Sequence, residues 1–151
     1  MDNKYRISGD LHAHTIASQH AYSTISEMVD RSKELGMDFI AITDHGPEML
    51  DGAIRHHFLC LPGLPDVVEG IRLYKGAEVN IKSFAGRIDL DSQVLARLDF
   101  VIASYHIEAI TPGTVEENYT PSLPISWDNH QLLETEAIPQ MVRSMNPLPH
   151  I

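Results

Sequence analysis

The sequence predicts an α/β fold built on a parallel sheet. Three observations predict it. Short apolar runs, Phe39-Ile40-Ala41-Ile42 and Phe100-Val101-Ile102-Ala103 among them, have the length and continuity of strands buried on both faces. Stretches with apolar residues at helical spacing lie between the strands. The two kinds alternate as strand, helix, strand, loop with helix, strand, helix, strand, which is the order of βα units. At 151 residues the chain has room for one domain, taken here as 1–151, and for a core that buries roughly two-thirds of the unfolded surface.

The first strand is expected over residues 6–11. Thr24-Ile25-Ser26-Glu27 then reads as a capping box, with Thr24 as N-cap and Glu27 three positions on. Ile25, Met28, Val29, Ser32 and Leu35 recur at helical spacing, and Gly36 ends the helix. The second strand follows over 39–43. Residues 46–70 carry Pro47, Pro62 and Pro65 with several glycines, and predict an elaborated loop with a short helix near 65–70. A third strand begins at Arg72 and ends near Glu78; residues 82–89 suggest a small hairpin around Ala85-Gly86. Asp91 caps a helical pattern over 92–98, and the fourth strand covers 100–103. Beyond His106 the pattern weakens. Pro112, Pro121 and Pro124 interrupt regular structure, a helix over 128–144 would be kinked at Pro139, and a strand begins at 148–151.

Composition narrows the function classes. Apolar residues make up 43% and charged residues 21%, ordinary values for a folded domain. The net charge of −10 argues against nucleic acid and anionic membranes as partners. Cys60 is the only cysteine, which excludes an intrachain disulfide and a thiolate metal cluster. The first ten residues hold no apolar stretch of signal-peptide length, and no apolar run reaches bilayer-spanning length. The expectation is a soluble, cytoplasmic protein.

Nine histidines are the anomaly, and their placement carries the chemistry. His12 and His14 follow the first strand; residues i and i+2 share a side, so both imidazoles can reach one ion. His20 lies in the loop before the capped helix. Asp44-His45 follows the second strand, Glu78 the third and His106 the fourth. Taken singly, each has a bland explanation: a strand-end histidine is usually a hydrogen-bonded structural residue, and a lone glutamate a solvated one. Together they line the C-terminal edge of a parallel sheet, where sites are built. Imidazoles with a carboxylate favour zinc, manganese or iron. His56-His57 falls in the irregular loop and is expected to be solvent-exposed, or at most on the substrate side.

The motifs Asp10-Leu11-His12-Ala13-His14-Thr15 and Ala17-Ser18-Gln19-His20-Ala21-Tyr22-Ser23-Thr24 resemble the opening of the PHP (polymerase and histidinol phosphatase) family of metal-dependent phosphoesterases. Ile42-Thr43-Asp44-His45-Gly46-Pro47 is similar to its second motif, Gly76-Ala77-Glu78-Val79-Asn80-Ile81 to its third and Ala103-Ser104-Tyr105-His106 to its fourth. The wording around His20 and Asp44 is most like the YcdX-type branch. The resemblance implies the N-terminal part of a distorted (β/α)7 TIM-like barrel, about four to five βα units. It also implies up to three zinc ions, with Mn2+ or Fe2+ as alternatives. His12, His14 and Glu78 would hold one metal; Glu78 would bridge to a second held also by His106; His20 and His45 would hold the third. The implied reaction is hydrolysis of a phosphate monoester of a small molecule by a metal-activated water. Asp44 would serve that site by orienting a histidine.

The chain departs from the pattern in length. A closed barrel of this kind takes about 230–250 residues. The later Gly-His-Pro and Asp-x-His ligand motifs are missing: Asp128-Asn129-His130 precedes a predicted helix instead of ending a strand, and His150 sits too early in its strand. The alternatives are a catalytically inactive remnant that binds metal or a partner chain through its open edge, a homo-oligomer that completes the barrel, or a different hydrolase such as an amidohydrolase, against which Asp44-His45-Gly46-Pro47 argues.

Overall fold

The computed structural model describes residues 6–83, 86–106 and 109. Four strands run parallel: β1 (Gly9–Ala13), β2 (Phe39–Ile42), β4 (Ile71–Asn80) and β5 (Phe100–Ser104). A two-residue strand, β3 (Val67–Val68), lies antiparallel to the start of β4. Among the described residues the α-helices are α1 (Ile25–Glu34), α2 (Arg55–Cys60) and α3 (Ser92–Leu95), and a 3-10 turn, Leu61–Gly63, follows α2. The predicted alternation is observed, and the curled parallel sheet forms a half-barrel.

β4 is the spine. Its first half pairs with β2 from Phe39↔Arg72 to Ile42↔Lys75. Its second half pairs with β5 from Gly76↔Phe100 to Asn80↔Ser104. The β2 edge continues past the strand through an isolated bridge between His45 and Glu78. Since Glu78 faces Ile102 on β5 and His45 on the β2 side, the two neighbours flank opposite edges of β4.

The helices cover one side of this sheet. α1 opens with the capping box: Thr24 N–H donates to Glu27 Oε2 at 2.7 Å while Thr24 Oγ1 accepts from Glu27 N–H at 3.3 Å. It closes with paired bonds, Gly36 N–H to Lys33 O and Met37 N–H to Ser32 O, the Schellman pattern. That pattern needs a left-handed residue, supplied by Gly36 at φ +69°. Val29 of α1, Phe58 of α2 and Val94 of α3 pack on Ile40, Ile42, Ile71, Leu73, Ala77 and Val79 from the strands, and all are buried. Fully burying each large side chain contributes about 1.5–3 kcal/mol.

Two elements of the 46–70 segment differ from expectation. The helix lies at 55–60, where Phe58 anchors it in the core. Residues 65–70 are a hairpin instead of a helix: Glu69 (φ 50°) and Gly70 (φ 87°) take the paired positive φ of a two-residue hairpin turn between Val68 and Ile71. The first strand starts later than predicted, at Gly9, where an added Cβ would meet the Phe39 ring at 2.4 Å. In the 82–89 segment, Ile81 bridges Ile88 and Lys82 N–H donates to Arg87 O, as a hairpin requires; residues 84 and 85 lie outside the described residues. The 128–144 helix, the 148–151 strand, His130 and His150 also lie outside them. Among the described residues no helix is long and apolar enough to cross a membrane.

Candidate metal centre

A register shift in β1 aims the first two histidines. Gly9 is aligned with Phe39 and Asp10 with Ile40, but Ala13 with Ile42, so β1 carries one extra residue between Asp10 and Ala13. Regular pairing would align His12 with Ile42, on the helix-covered face. The extra residue puts Ala13 there instead, against the apolar core, and turns His12 and His14 to the other face. Asp10 satisfies the irregular backbone, its Oδ1 accepting from His12 N–H at 2.9 Å.

Glu78 reaches that face from β4 and is the point of convergence. Its Oε2 lies 3.1 Å from His12 Nε2, 3.3 Å from His14 Nε2 and 3.0 Å from His45 Nδ1; its Oε1 lies 3.6 Å from His106 Nε2. His20 completes the group, its ring centroid 5.5 Å from that of His14 and 5.0 Å from that of His45. The floor is buried: the Glu78 side chain is 5% exposed and that of His45 10%, against 48% for His12 and 47% for His20 at the mouth. The six predicted side chains therefore meet in one cup.

The cup is polar and incompletely satisfied. Glu78 Oε2, His14 Nδ1 and His45 Nδ1 are buried without a hydrogen bond, although His45 Nδ1 stands close to Glu78 Oε2. Proximity without hydrogen-bond geometry, among groups that normally find partners when buried, is what ligands to a common ion present. Three triads have donor atoms within 4.8 Å of one another and could each hold an ion: His12, His14 and Glu78; His45, Glu78 and His106; His14, His20 and His45. Burial lowers the pKa of His14 and His45 below the ordinary 6.5, the nearby Glu78 charge opposing it, so both rings favour the neutral form that binds metal. Burial alone would raise Glu78. A hydrogen bond from Ser104 and the nearby His12 and His45 rings outweigh it and hold the carboxyl below its usual range.

Asp44 stands behind this cup and not in it. It is fully buried and accepts four hydrogen bonds: from Thr15 N–H at 2.7 Å, Thr15 Oγ1 at 2.8 Å, Ser18 Oγ at 2.8 Å and His57 Nε2 at 3.0 Å. Ser18 Oγ also accepts from His45 N–H at 3.0 Å, so Asp44 ties the β1–α1 loop to the backbone of His45. Burial pushes Asp44 up, and the bonds from His57, Thr15 and Ser18 together bring it below its ordinary value.

Four contributors escaped the sequence reading. His57 is not solvent-exposed as expected: α2 turns it onto Asp44, while His56 on the same helix is exposed. Asp51 lies 2.5 Å from His20 Nδ1. Asn80 Oδ1 lies 2.6 Å from His106 Nδ1, and Asp89 binds Asn80 in turn. Asn80 was within reach of the rule applied to His12 and His14, because it sits two residues beyond Glu78 on the same face of its strand.

A family model, the PHP domain, matches residues 10–142. The chain belongs to the PHP-domain family. Similar relatives include a "Probable phosphatase" of Acetivibrio thermocellus, 47% identical over 109 residues, which cover 72% of this PHP chain and 45% of the relative. A second, from Shewanella piezotolerans, is 44% identical over 114 residues, covering 76% and 46%. A third, from Caldanaerobacter subterraneus, is 45% identical over 120 residues, covering 80% and 47%. The PHP chain thus spans about half the length of the curated relatives it matches.

Proposed function

We propose that this chain carries the N-terminal part of a metal-dependent phosphoesterase site that hydrolyses a phosphate monoester of a small molecule. The observation that carries the reading is Glu78 Oε2, buried without a hydrogen bond and within 3.3 Å of three imidazoles. Membership of the PHP family and the relatives' printed names support the reaction class. His12, His14 and Glu78 would hold one ion and His45, Glu78 and His106 a second; His14, His20 and His45 are also close enough to hold an ion, but a neutral imidazole has one lone pair and serves one ion at a time, so His14 and His45 would each commit to a single ion. The nitrogen and oxygen donors suit zinc, with manganese or iron(II) as alternatives. Bound there, such ions supply charge neutralisation for the phosphoryl oxygens and lower the pKa of a water.

The chain's own residues do the rest. The anionic Glu78 offsets the ions' charge at the floor. His12 and His20, at the half-exposed mouth, leave the cup open to a phosphorylated substrate. Asp44 acts as a positioning residue, through Ser18, on His45. The net charge of −10 disfavours nucleic acid and anionic membrane as partners, and the setting is cytoplasmic.

The test uses the purified full chain: bound metal by elemental analysis, and p-nitrophenyl phosphate turnover with added zinc or manganese. At least one ion per chain and chelator-sensitive hydrolysis are expected. Less than one ion and no such hydrolysis overturn the reading. A second reading has its own observation: each triad supplies only three donors among the described residues, and the chain covers 45–47% of the three relatives named above. On that reading the chain binds metal, or a partner or second copy at its open edge, without catalysis. Metal bound stoichiometrically with no turnover supports it.

A further inference from the structure

We infer that Asp89, acting through Asn80, fixes the proton of His106 on Nδ1 and so presents Nε2 of that ring as a bare electron pair. The inference deepens the metal-centre reading and rests on it for its consequence, but not for its test. Asn80 is fully buried. On one side of its amide, Nδ2 lies 2.5 Å from Asp89 Oδ2 and 3.3 Å from Gly46 O. A carboxylate and a carbonyl can only accept, so the amide must turn its NH2 toward them. The opposite end, Oδ1, then faces His106 Nδ1 at 2.6 Å. Oδ1 can only accept, so His106 Nδ1 must donate. A neutral imidazole has one ring proton. With it on Nδ1, Nε2 is left bare, and Nε2 is the atom turned to Glu78.

Asp89 is itself held fast. Its Oδ1 accepts from Asn80 N–H at 2.8 Å and its Oδ2 from Glu48 N–H at 3.1 Å. Gly46 approaches so closely that a Cβ there would stand 2.3 Å from the Asp89 carboxylate. Gly46 is thus the residue that lets the Asp89 carboxylate reach Asn80. Asp89 and Asn80 are positioning residues: they set which nitrogen of His106 is available.

The experiment reads the tautomer directly in metal-free, 15N-labelled full chain at a pH where imidazoles are neutral. Long-range proton–nitrogen correlation distinguishes a protonated ring nitrogen from a bare one, and the His106 signals are those absent from His106→Gln. Wild type is expected to carry the proton on Nδ1. Asp89→Leu removes the acceptor that orients the Asn80 amide, so the amide is free to turn and His106 should move toward the Nε2–H form. Exchanging the pair, Asn80→Asp with Asp89→Asn, returns an acceptor to His106 and should restore Nδ1–H. Zinc affinity should fall about 10–100-fold in Asp89→Leu and recover in the exchanged pair. A wild-type proton on Nε2, or an unchanged tautomer in a folded Asp89→Leu, overturns the inference. If Asp89→Leu does not fold, the exchanged pair decides: Nδ1–H supports, Nε2–H overturns. A chain that binds no metal yet shows the tautomer response sinks the phosphoesterase reading and leaves this one standing.

Discussion

The two faces of β4 solve opposite problems with alternate residues of one strand. Ile71, Leu73, Ala77 and Val79 point under the helices and close on themselves. Glu78 and Asn80 point the other way, into the cup. The apolar face is held by a non-directional force that asks only for matching volume. The polar face depends on donor and acceptor geometry, and it leaves Glu78 Oε2, His14 Nδ1 and His45 Nδ1 unsatisfied. An orphaned buried group costs about 1–3 kcal/mol. The difference teaches that the helix-side face supports the fold whereas the cup draws on that stability to keep unsatisfied groups buried, and the two should respond to mutation independently.

The largest expected effect falls on the helix-side face. Leu73→Ala removes a side chain that is 2% exposed, and should lower unfolding free energy by about 2–5 kcal/mol. Urea denaturation measures it. Metal content per folded chain should stay at the wild-type value. A Leu73→Ala chain that is stable yet metal-free would erase the distinction between the faces.

Glu78→Gln is the converse. It keeps the volume and removes the anion shared by two triads. Zinc affinity should fall about 100-fold, or ~2.7 kcal/mol, and bound metal by at least one ion per chain. Metal-free stability should change far less than in Leu73→Ala. Unchanged zinc stoichiometry in Glu78→Gln would remove Glu78 from the centre of the site.

His57→Phe sharpens the boundary between the two, because α2 contributes Phe58 to the core and His57 to Asp44. Phenylalanine fills the space but donates nothing. Asp44 keeps its bonds from Thr15 and Ser18, so the loss should be about 1–2 kcal/mol. Any fall in zinc affinity should be smaller than in Glu78→Gln, since the effect must pass through Ser18 to His45. Isothermal titration with zinc beside urea denaturation separates the two.

The same contrast explains what the sequence could disclose. His12, His14, His45, Glu78 and His106 were legible because strand ends are marked by apolar runs and a period of two relates neighbours. The β1 register shift was not legible, for an extra backbone residue leaves no apolar signature; only Asp10, which bonds His12 N–H, hints at it. The helix at 55–60 was hidden because its anchor is tertiary: Phe58 becomes decisive only once the sheet lies beneath it. The 67–72 hairpin is masked by the Gly- and Pro-rich composition of the segment around it, although Glu69-Gly70 after two valines is hairpin chemistry. His56 and His57 are indistinguishable in sequence, and only the orientation of α2 sends one of them to Asp44.

The smallest expected effect belongs to Thr24→Ala, and it bears on how separable the faces are. Thr24 sits where the loop carrying His14 and His20 enters α1. Removing its hydroxyl deletes the N-cap bond and should cost about 1 kcal/mol. Glu27 is held below its ordinary value first by the Thr24 backbone N–H and second by the Thr24 hydroxyl; alanine keeps the first and removes the second, so Glu27 should rise only part of the way, a shift read in a carboxyl titration by NMR. The loop has its own ties, Ile16 N–H to Ser23 O at 3.0 Å and Ser18 to Asp44 at 2.8 Å, and neither involves the cap. The cup should therefore keep its metal while the helix loosens. If Thr24→Ala strips metal as Glu78→Gln does, the loop is positioned by the helix and not by Asp44, and the division drawn along β4 does not extend to β1.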